Sequence, residues 1–198
     1  MQALIHPERS SQSFRDPALQ HWPGWAEPAR ASQWFTALQQ ETAWKQEAIT
    51  LFGQQHQLPR LTCWMADPGC GYRYSGLDNI VEPWSPTAAM LREQLTRVSG
   101  WRFNSLLLNL YRDGRDAMGF HADDEPELDP RAPIASLSLG ASRTLRFKPK
   151  RGHPGESLNL ELAHGDLLLM EPPTQQHWLH GLPKRLRVNE PRLNLTFR

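Results

Sequence analysis

The chain has 198 residues, of which 39% are hydrophobic and 22% charged, and its formal net charge is +1 at pH 7. This length can bury a complete hydrophobic core, so we expect one domain rather than a string of small ones. The near-zero net charge excludes binding to nucleic acid through bulk positive charge, so any attraction to phosphate must come from local patches.

The two cysteines, Cys63 and Cys70, have a spacing that matches neither a zinc knuckle nor a redox dithiol. We therefore expect ordinary thiols in a reducing compartment. The first residues lack a continuous apolar segment, and no later stretch is long enough to span a bilayer. We expect a soluble monomer of the cytoplasm, or of the nucleus in a eukaryote, with no membrane partner.

The beginning of the chain is polar and contains Pro17 and Pro23, which predicts an irregular arm over residues 1–25. Two helices are expected after it. Pro28 suits the first turn of one helix. Ser85 and Pro86 fit the cap and first turn of the other, and Gly100 fits its end.

Most of the remaining sequence has the pattern of short strands separated by glycine, proline, asparagine or aspartate. So many strands after two helices predict a mostly-β protein of the α+β class, a sandwich or jelly-roll-like barrel with helices outside. The predicted strands are "RLTCWM", "GYRYSG", "FNSLLLNLY", "PIASLSLG", "RTLRFKP", "SLNLEL", "GDLLLME", "HWLHGL" and "PRLNLTFR".

The last predicted strand has a polar face, because alternate residues of a strand point the same way. Its members are Arg192, Asn194, Thr196 and Arg198. Two guanidinium groups on such a face can each bind a carboxylate through paired hydrogen bonds. In "FNSLLLNLY" the same alternation puts Asn109 and Tyr111 on one face, and polar groups inside a sheet need partners.

A possible metal site begins in "HADDE", where His121 and Asp123 share a face if the segment is extended. They provide half of a facial triad, and a distant histidine must complete it. His177 and His180 point to opposite faces of their strand, so only one of them can join. Two histidines and one aspartate leave three positions open on Fe(II), whereas structural zinc needs four ligands. H-x-D alone is common by chance, and the alternative is a solvated acidic turn.

Taken together, these motifs resemble those of the AlkB family of Fe(II)/2-oxoglutarate dioxygenases, which repair alkylated bases. The similarity runs from about Trp34 to the end, and the H-x-D-D-E sequence is typical of one branch of that family. The resemblance implies a double-stranded β-helix (jelly roll) over residues 101–198. Helices and nucleotide-recognition hairpins over residues 26–100 would complete one dioxygenase domain, residues 26–198. The matching stretches are "FNSLLLNLYRDGRDAMGFHADDE", "PIASLSLGASRTLRF", "HGDLLLM", "HWLHGLP" and "PRLNLTFR".

Site residues follow from the resemblance position by position. It implies His121, Asp123 and His180 as iron ligands. Arg192, with help from Tyr111, would bind the far carboxylate of 2-oxoglutarate. The implied co-substrate pocket also includes Arg198, Asn109 and Asn194.

Residues that contact the substrate are implied in the same way. Asp124 and Glu125 would face the damaged base, and Phe52 would be a wedge inserted into the duplex. The base contacts would come from Tyr72, Tyr74 and Ser75. The alternative for these aromatic residues is simple core packing. Trp64 and the basic stretch Arg146–Arg151 are weaker candidates for stacking and phosphate contact, and a solvated edge is the usual reading of such a stretch.

The implied activity is oxidative dealkylation of N-alkylated bases, such as 1-methyladenine and 3-methylcytosine. It would use Fe(II), O₂ and 2-oxoglutarate and give succinate, CO₂ and an aldehyde. The partner is expected to be alkylated DNA, with RNA as an alternative. Two rivals remain: a 2-oxoglutarate hydroxylase of RNA, protein or a small molecule on the same barrel, and a non-catalytic nucleic-acid binder with a degenerate metal site.

Overall fold

The computed structural model describes residues 11–51, 54–70, 73–74, 77–78 and 81–198. Its helices are α1 (Pro28–Glu41), α2 (Pro86–Ser99) and α3 (Thr174–His177). Its strands are β1 (Gln12–Phe14), β2 (Leu19–Trp22), β3 (Ala48–Leu51), β4 (Gln54–Gln57), β5 (Leu61–Ala66), β6 (Arg73–Tyr74), β7 (Leu77–Asp78), β8 (Val81–Glu82), β9 (Ser105–Tyr111), β10 (Met118–His121), β11 (Ile134–Gly140), β12 (Arg143–Pro149), β13 (Leu158–Leu162), β14 (Leu167–Met170), β15 (Trp178–Leu182) and β16 (Arg192–Phe197).

Two sheets form the double-stranded β-helix that the resemblance to the AlkB family implied. The major sheet has the order β1-β2-β14-β11-β16-β9-β5-β8, and the minor sheet has the order β10-β15-β12-β13. They pack together through a buried cluster that joins Ile134 and Met170 of the major sheet to Phe147, Leu160 and Trp178 of the minor sheet. The smaller hairpins β3-β4 and β6-β7 stand apart from both sheets in the pairing pattern.

The helices α1 and α2 cover the other face of the major sheet. Alternation in β16 sends Leu193, Leu195 and Phe197 into the core that contains buried residues of both helices. The opposite face of β16 is therefore left for polar side chains. Among the described residues, no helix is long and apolar enough to cross a membrane.

Helix α2 has the boundaries that its sequence predicted. Ser85 caps it by accepting a hydrogen bond from the Ala88 amide at 3.3 Å, and Pro86 occupies the first turn. Gly100 ends it with φ at 74°, a left-handed conformation that glycine adopts without steric cost.

The expected irregular arm over residues 1–25 is wrong for the segment that contains β1 and β2. These strands pair with each other, and β2 pairs with β14, so they extend the major sheet. A buried contact fixes them there, because His21 Nε2 lies 3.1 Å from Asp166 Oδ2. The segment reads as polar because its buried residues, Leu19 and His21, alternate with the half-buried Gln20 and Trp22.

Candidate metal and co-substrate site

Neighbouring strands bring the two predicted histidines together. His121 at the end of β10 is the register partner of His180 on β15, and their ring centroids lie 4.3 Å apart. The strands approach closely at Gly181, where a Cβ atom would lie 3.2 Å from the Met118 carbonyl oxygen. A larger residue here would require the β10 backbone to shift by a few tenths of an ångström.

Asp123, in the loop after β10, completes a three-residue cluster. Its Oδ1 lies 3.7 Å from His121 Nε2, and its Oδ2 lies 3.8 Å from His180 Nε2. The candidate ligand atoms of the three residues all lie within 4.8 Å of one another. This donor set, two imidazoles and one carboxylate, is the facial triad of non-haem Fe(II) oxygenases.

The protonation states of the cluster suit metal binding. Burial is the largest effect on the Asp123 carboxyl and would raise its pKa, but Arg198, His180 and His121 together outweigh burial and hold this pKa below its ordinary value. Burial lowers the pKa of His180 to about 3, so its imidazole is neutral at physiological pH. A carboxylate and a neutral imidazole are the forms that bind a metal ion.

Further contacts orient the candidate ligands. Arg198 Nη2 donates to Asp123 Oδ1 at 2.5 Å, and the Asp123 amide donates to Gln175 Oε1 at 3.0 Å. His121 Nδ1 lies 3.0 Å from the Gly119 carbonyl oxygen, so an N–H at Nδ1 leaves Nε2 as the ligand atom. Such outer contacts fix ligand geometry in metal sites.

The structure separates the two candidate late histidines. His177 lies outside the cluster, and its ring stacks on that of His153 with centroids 4.5 Å apart. Trp178 and Asp16 join this second group, since Trp178 Nε1 donates to Asp16 Oδ1 at 2.6 Å. Of the pair His177 and His180, only His180 points to His121 and Asp123.

A cavity beside the triad is lined by the polar faces that alternation predicted. Strand β16 pairs with β9 so that Arg192 is opposite Tyr111 and Asn194 is opposite Asn109. The polar residues of the cavity wall are Asn109, Tyr111, His121, Asp123, Ser136, His180, Arg192, Asn194, Thr196 and Arg198. Fragments far apart in the chain therefore form one continuous surface.

Arg192 is the most unusual residue of this cavity. It is 1% exposed, its Nη2 donates to Ser138 Oγ at 2.9 Å, and its guanidinium lies 5.5 Å from the Tyr111 ring centroid. Its Nε and Nη1 have no hydrogen-bond partner among the described residues. Burial lowers its pKa to about 10, so the group remains a cation at neutral pH. A buried cation with two unused donors fits a carboxylate ligand such as that of 2-oxoglutarate.

The other predicted co-substrate residues also line the cavity. Arg60 Nε donates to Asn109 Oδ1 at 2.7 Å, and Asn194 Nδ2 donates to Ser136 Oγ at 2.8 Å. Arg198 lies at the boundary of the cavity, where it already pairs with Asp123. Its guanidinium also lies 5.5 Å from the ring centroid of Trp64, which is buried in a separate apolar cluster.

Asp124 and Glu125 lie on a second cavity of about 220 Å³. Asp123, Met170 and Arg198 line both cavities, so the acidic pair adjoins the metal cluster. Phe52, Tyr72 and Ser75 fall outside the described residues, as does the side chain of Tyr74. Their proposed contacts with a base remain predictions.

Several residues of the site were missed by sequence reasoning. Ser136 and Ser138 alternate in β11 in the same way as the polar residues of β16, so the alternation rule could have found them. Gln175 and Arg60 gave no such signal, because their contacts join segments 52 and 49 residues apart.

The sequence matches the 2OG-Fe(II) oxygenase superfamily over residues 18–198. It is 44% identical to the DNA oxidative demethylase ALKBH2 of Mus musculus, over 86% of this chain and 75% of that protein. The human ALKBH2 is 42% identical over 86% of this chain and 69% of that protein. The chain belongs to the AlkB family. It is therefore an Fe(II)/2-oxoglutarate-dependent dioxygenase, and Fe(II) and 2-oxoglutarate are its metal and co-substrate.

One further relative agrees with this family assignment, and one solved structure agrees with the fold. The human alpha-ketoglutarate-dependent dioxygenase alkB homolog 3 is 40% identical over 89% of this chain and 64% of that protein. The solved structure of OsALKBH1 superposes with a TM-score of 0.65, covering 94% of this chain and 100% of that chain at 16% identity. At this identity, the structural likeness supports only the fold.

Proposed function

We propose that this AlkB-family enzyme oxidatively dealkylates N-alkylated bases in DNA, such as 1-methyladenine and 3-methylcytosine. The relatives named DNA oxidative demethylase support a DNA substrate. The observation that carries the proposal is the juxtaposition in one cavity of the His121–Asp123–His180 cluster with the buried guanidinium of Arg192. The products are succinate, CO₂, an aldehyde and the restored base.

In this proposal His121, Asp123 and His180 hold the iron and leave three coordination positions open. Bound together, ferrous iron and 2-oxoglutarate supply activation of O₂ and hydroxylation of the alkyl carbon. Arg192 binds the far carboxylate of 2-oxoglutarate, and Tyr111 packs against that guanidinium.

The other residues of the cavity position the oxo-acid end of the co-substrate. Asn109 is held by Arg60, and Asn194 is held by Ser136, so both amides are fixed before the ligand arrives. Arg198 has a second task, because its hydrogen bond orients the Asp123 carboxylate. Side chains fixed in advance lose little conformational freedom on binding.

The substrate end of the site is assigned to Asp124 and Glu125, which flank the metal cluster and offer carboxylate acceptors. N-alkylation at adenine N1 or cytosine N3 makes the base a cation, which such acceptors favour electrostatically. Tyr72, Tyr74 and Ser75 are proposed to contact the flipped base, and Phe52 to enter the duplex. Hydroxylation of the carbon bonded to nitrogen gives an unstable product. Its C–N bond breaks, the hydroxyl oxygen becomes the carbonyl of the aldehyde, and the base is restored.

The test is turnover of one 1-methyladenine oligonucleotide sequence as single-stranded DNA, duplex DNA and RNA. Repaired base, aldehyde and succinate are measured by mass spectrometry, with the unmethylated oligonucleotide as the control. We expect lesion-dependent aldehyde in equal amount to repaired base, from at least one DNA form. Succinate that never exceeds the uncoupled background would instead favour the hydroxylase of a protein or small molecule.

The non-catalytic alternative has a separate signature. A nucleic-acid binder with a degenerate metal site would show no charge-transfer band with Fe(II) and 2-oxoglutarate under anaerobic conditions. Chelating the metal would also leave its affinity for oligonucleotides unchanged. We expect the band to form, because the ionised carboxylate, the neutral imidazole and the unused Arg192 donors together fit both ligands.

A further inference from the structure

Lys150 joins the segments on either side of the metal cluster. Its Nζ donates to Asp124 Oδ2 at 2.7 Å and to the Gln175 carbonyl oxygen at 2.8 Å. Its own amide donates to the His177 carbonyl oxygen at 2.7 Å. The backbone therefore fixes the start of this side chain, and two acceptors fix its end.

The ion pair lies beside the metal cluster rather than on a remote surface. Asp124 directly follows Asp123, and the side chain of Gln175 accepts the hydrogen bond from the Asp123 amide. The Lys150 side chain is 27% exposed and that of Asp124 is 55% exposed, so the pair is open to a ligand that approaches from solvent. A cationic base that contacts Asp124 must compete with the ammonium group of Lys150.

We propose that Lys150 is a specificity-determining residue, which neutralises Asp124 and so reduces the preference of the enzyme for cationic over neutral N-alkylated bases. The inference rests on the proposed function, in which Asp124 faces the damaged base. An acidic site without a counter-ion would favour a cationic ring by charge alone. Pairing with Lys150 weakens this preference, so the activity on neutral lesions comes closer to that on cationic lesions.

Two simpler roles for Lys150 make different predictions. A phosphate contact would raise affinity for every oligonucleotide to the same extent, with a steeper salt dependence. If Lys150 only tethers Gln175, replacing Lys150 would disturb Asp123 and change the turnover of all substrates together. Only charge compensation at Asp124 changes the activity and affinity for a cationic base relative to those for a neutral base of the same shape.

The matched substrates are single-stranded oligonucleotides that contain 3-methylcytosine or 3-methyluracil. These rings differ at the exocyclic position 4 and in charge, with 3-methylcytosine as the cation. The variants are Lys150→Met, which removes the charge, and Lys150→Arg, which keeps it. Arg151→Met is the control, because it removes one positive charge from the exposed residue next in sequence.

Two readouts are compared for each variant. One is the ratio of kcat/KM for the two lesions, and the other is the ratio of their affinities by fluorescence anisotropy with Mn(II) and 2-oxoglutarate bound. We expect Lys150→Met to shift both ratios toward 3-methylcytosine by about 2- to 5-fold, the scale of a partly exposed ion pair. Lys150→Arg and Arg151→Met should keep the wild-type ratios.

A double-mutant cycle assigns the effect to Asp124. The Asp124→Asn, Lys150→Met double variant should have the same two ratios as the Asp124→Asn single variant. If wild type oxidises both lesions but Lys150→Met leaves the ratios unchanged, or Arg151→Met shifts them equally, the inference is overturned and the proposed function stands. If wild type oxidises neither lesion but repairs 1-methyladenine in some form of DNA, the inference alone is overturned. If wild type repairs no form of DNA, the proposed function fails, and the inference fails with it.

Discussion

Replacing Arg192 by methionine should separate protein stability from co-substrate binding. The guanidinium is buried, and its Nε and Nη1 have no partner among the described residues. Removing a buried charge that lacks a counter-ion is neutral or stabilising, because its desolvation is not compensated. The apoprotein should therefore keep or increase its free energy of unfolding, while 2-oxoglutarate binding is strongly weakened.

The size of the effect follows from the two unused donors. Hydrogen bonds to charged groups contribute about 1.5–3 kcal/mol each, so losing two weakens 2-oxoglutarate binding by at least roughly 100-fold. At about 100 times its Kd, the ligand stabilises wild type by about 2.7 kcal/mol. A domain of this size gains about 2–4 °C in Tm per kcal/mol, hence about 5–10 °C. For the variant, the same ligand concentration should add about 0.4 kcal/mol or less, which raises the Tm by roughly 1–2 °C at most.

The assay is thermal unfolding with Mn(II), with and without 2-oxoglutarate. Arg143→Met is the matched control, because Arg143 is also buried but donates to the backbone carbonyls of Asp113, Asp116 and Pro183. Its loss leaves buried acceptors unpaired, so the apoprotein should lose about 2–4 kcal/mol while keeping the ligand-induced shift. An Arg192→Met protein as destabilised as Arg143→Met, or one with an unchanged 2-oxoglutarate shift, would refute this reasoning.

Three further predictions concern the ligands and the substrate. His180→Ala should abolish turnover and weaken Mn(II) binding, measured by isothermal titration calorimetry, whereas His177→Ala should keep much of both; equal losses would contradict the choice of ligand. The His180 imidazole has a pKa of about 3 in the folded chain against 6.5 for the ordinary group, so between these values the unfolded state binds the extra proton. Between pH 7.5 and 5, the free energy of unfolding of the metal-free protein, measured in urea, should therefore fall by about 2 kcal/mol more than that of His180→Gln. Parallel pH dependences of the two proteins would disprove this. Phe52→Ala should slow repair of duplex DNA and leave the single-strand rate unchanged in parallel assays; an equal fall in both would argue against a wedge.

Side-chain alternation explains why much of the site was predictable from sequence. One rule, that alternate strand residues share a face, put Arg192 and Asn194 on one face and Leu193 on the other, and in the structure the first two line the cavity while Leu193 lies in the core. The same rule limited the late ligand to one of two histidines by placing both on one strand, and this premise is wrong for His177, which lies at the end of α3 and not on β15. The structure brings His180 to the cluster because its register partner on the neighbouring strand is His121.

Contacts between distant segments were not predictable in this way. The placement of β2 in the major sheet involves a buried pair, His21 with Asp166, that joins residues 145 positions apart. Lys150 and Gln175 read as ordinary polar surface residues, and their roles depend on how the loop after β10 folds over α3. Local pattern carries no information on such contacts, so sequence reasoning described the core of the site better than its rim.

The most direct test of the central claim is a crystal structure of the protein with Mn(II) and 2-oxoglutarate bound. The account predicts one metal ion at coordination distance from His121 Nε2, an Asp123 carboxylate oxygen and His180 Nε2. It also predicts the far carboxylate of 2-oxoglutarate on Nε and Nη1 of Arg192. A metal bound at another place, or a co-substrate that leaves Arg192 without an anion, would contradict it.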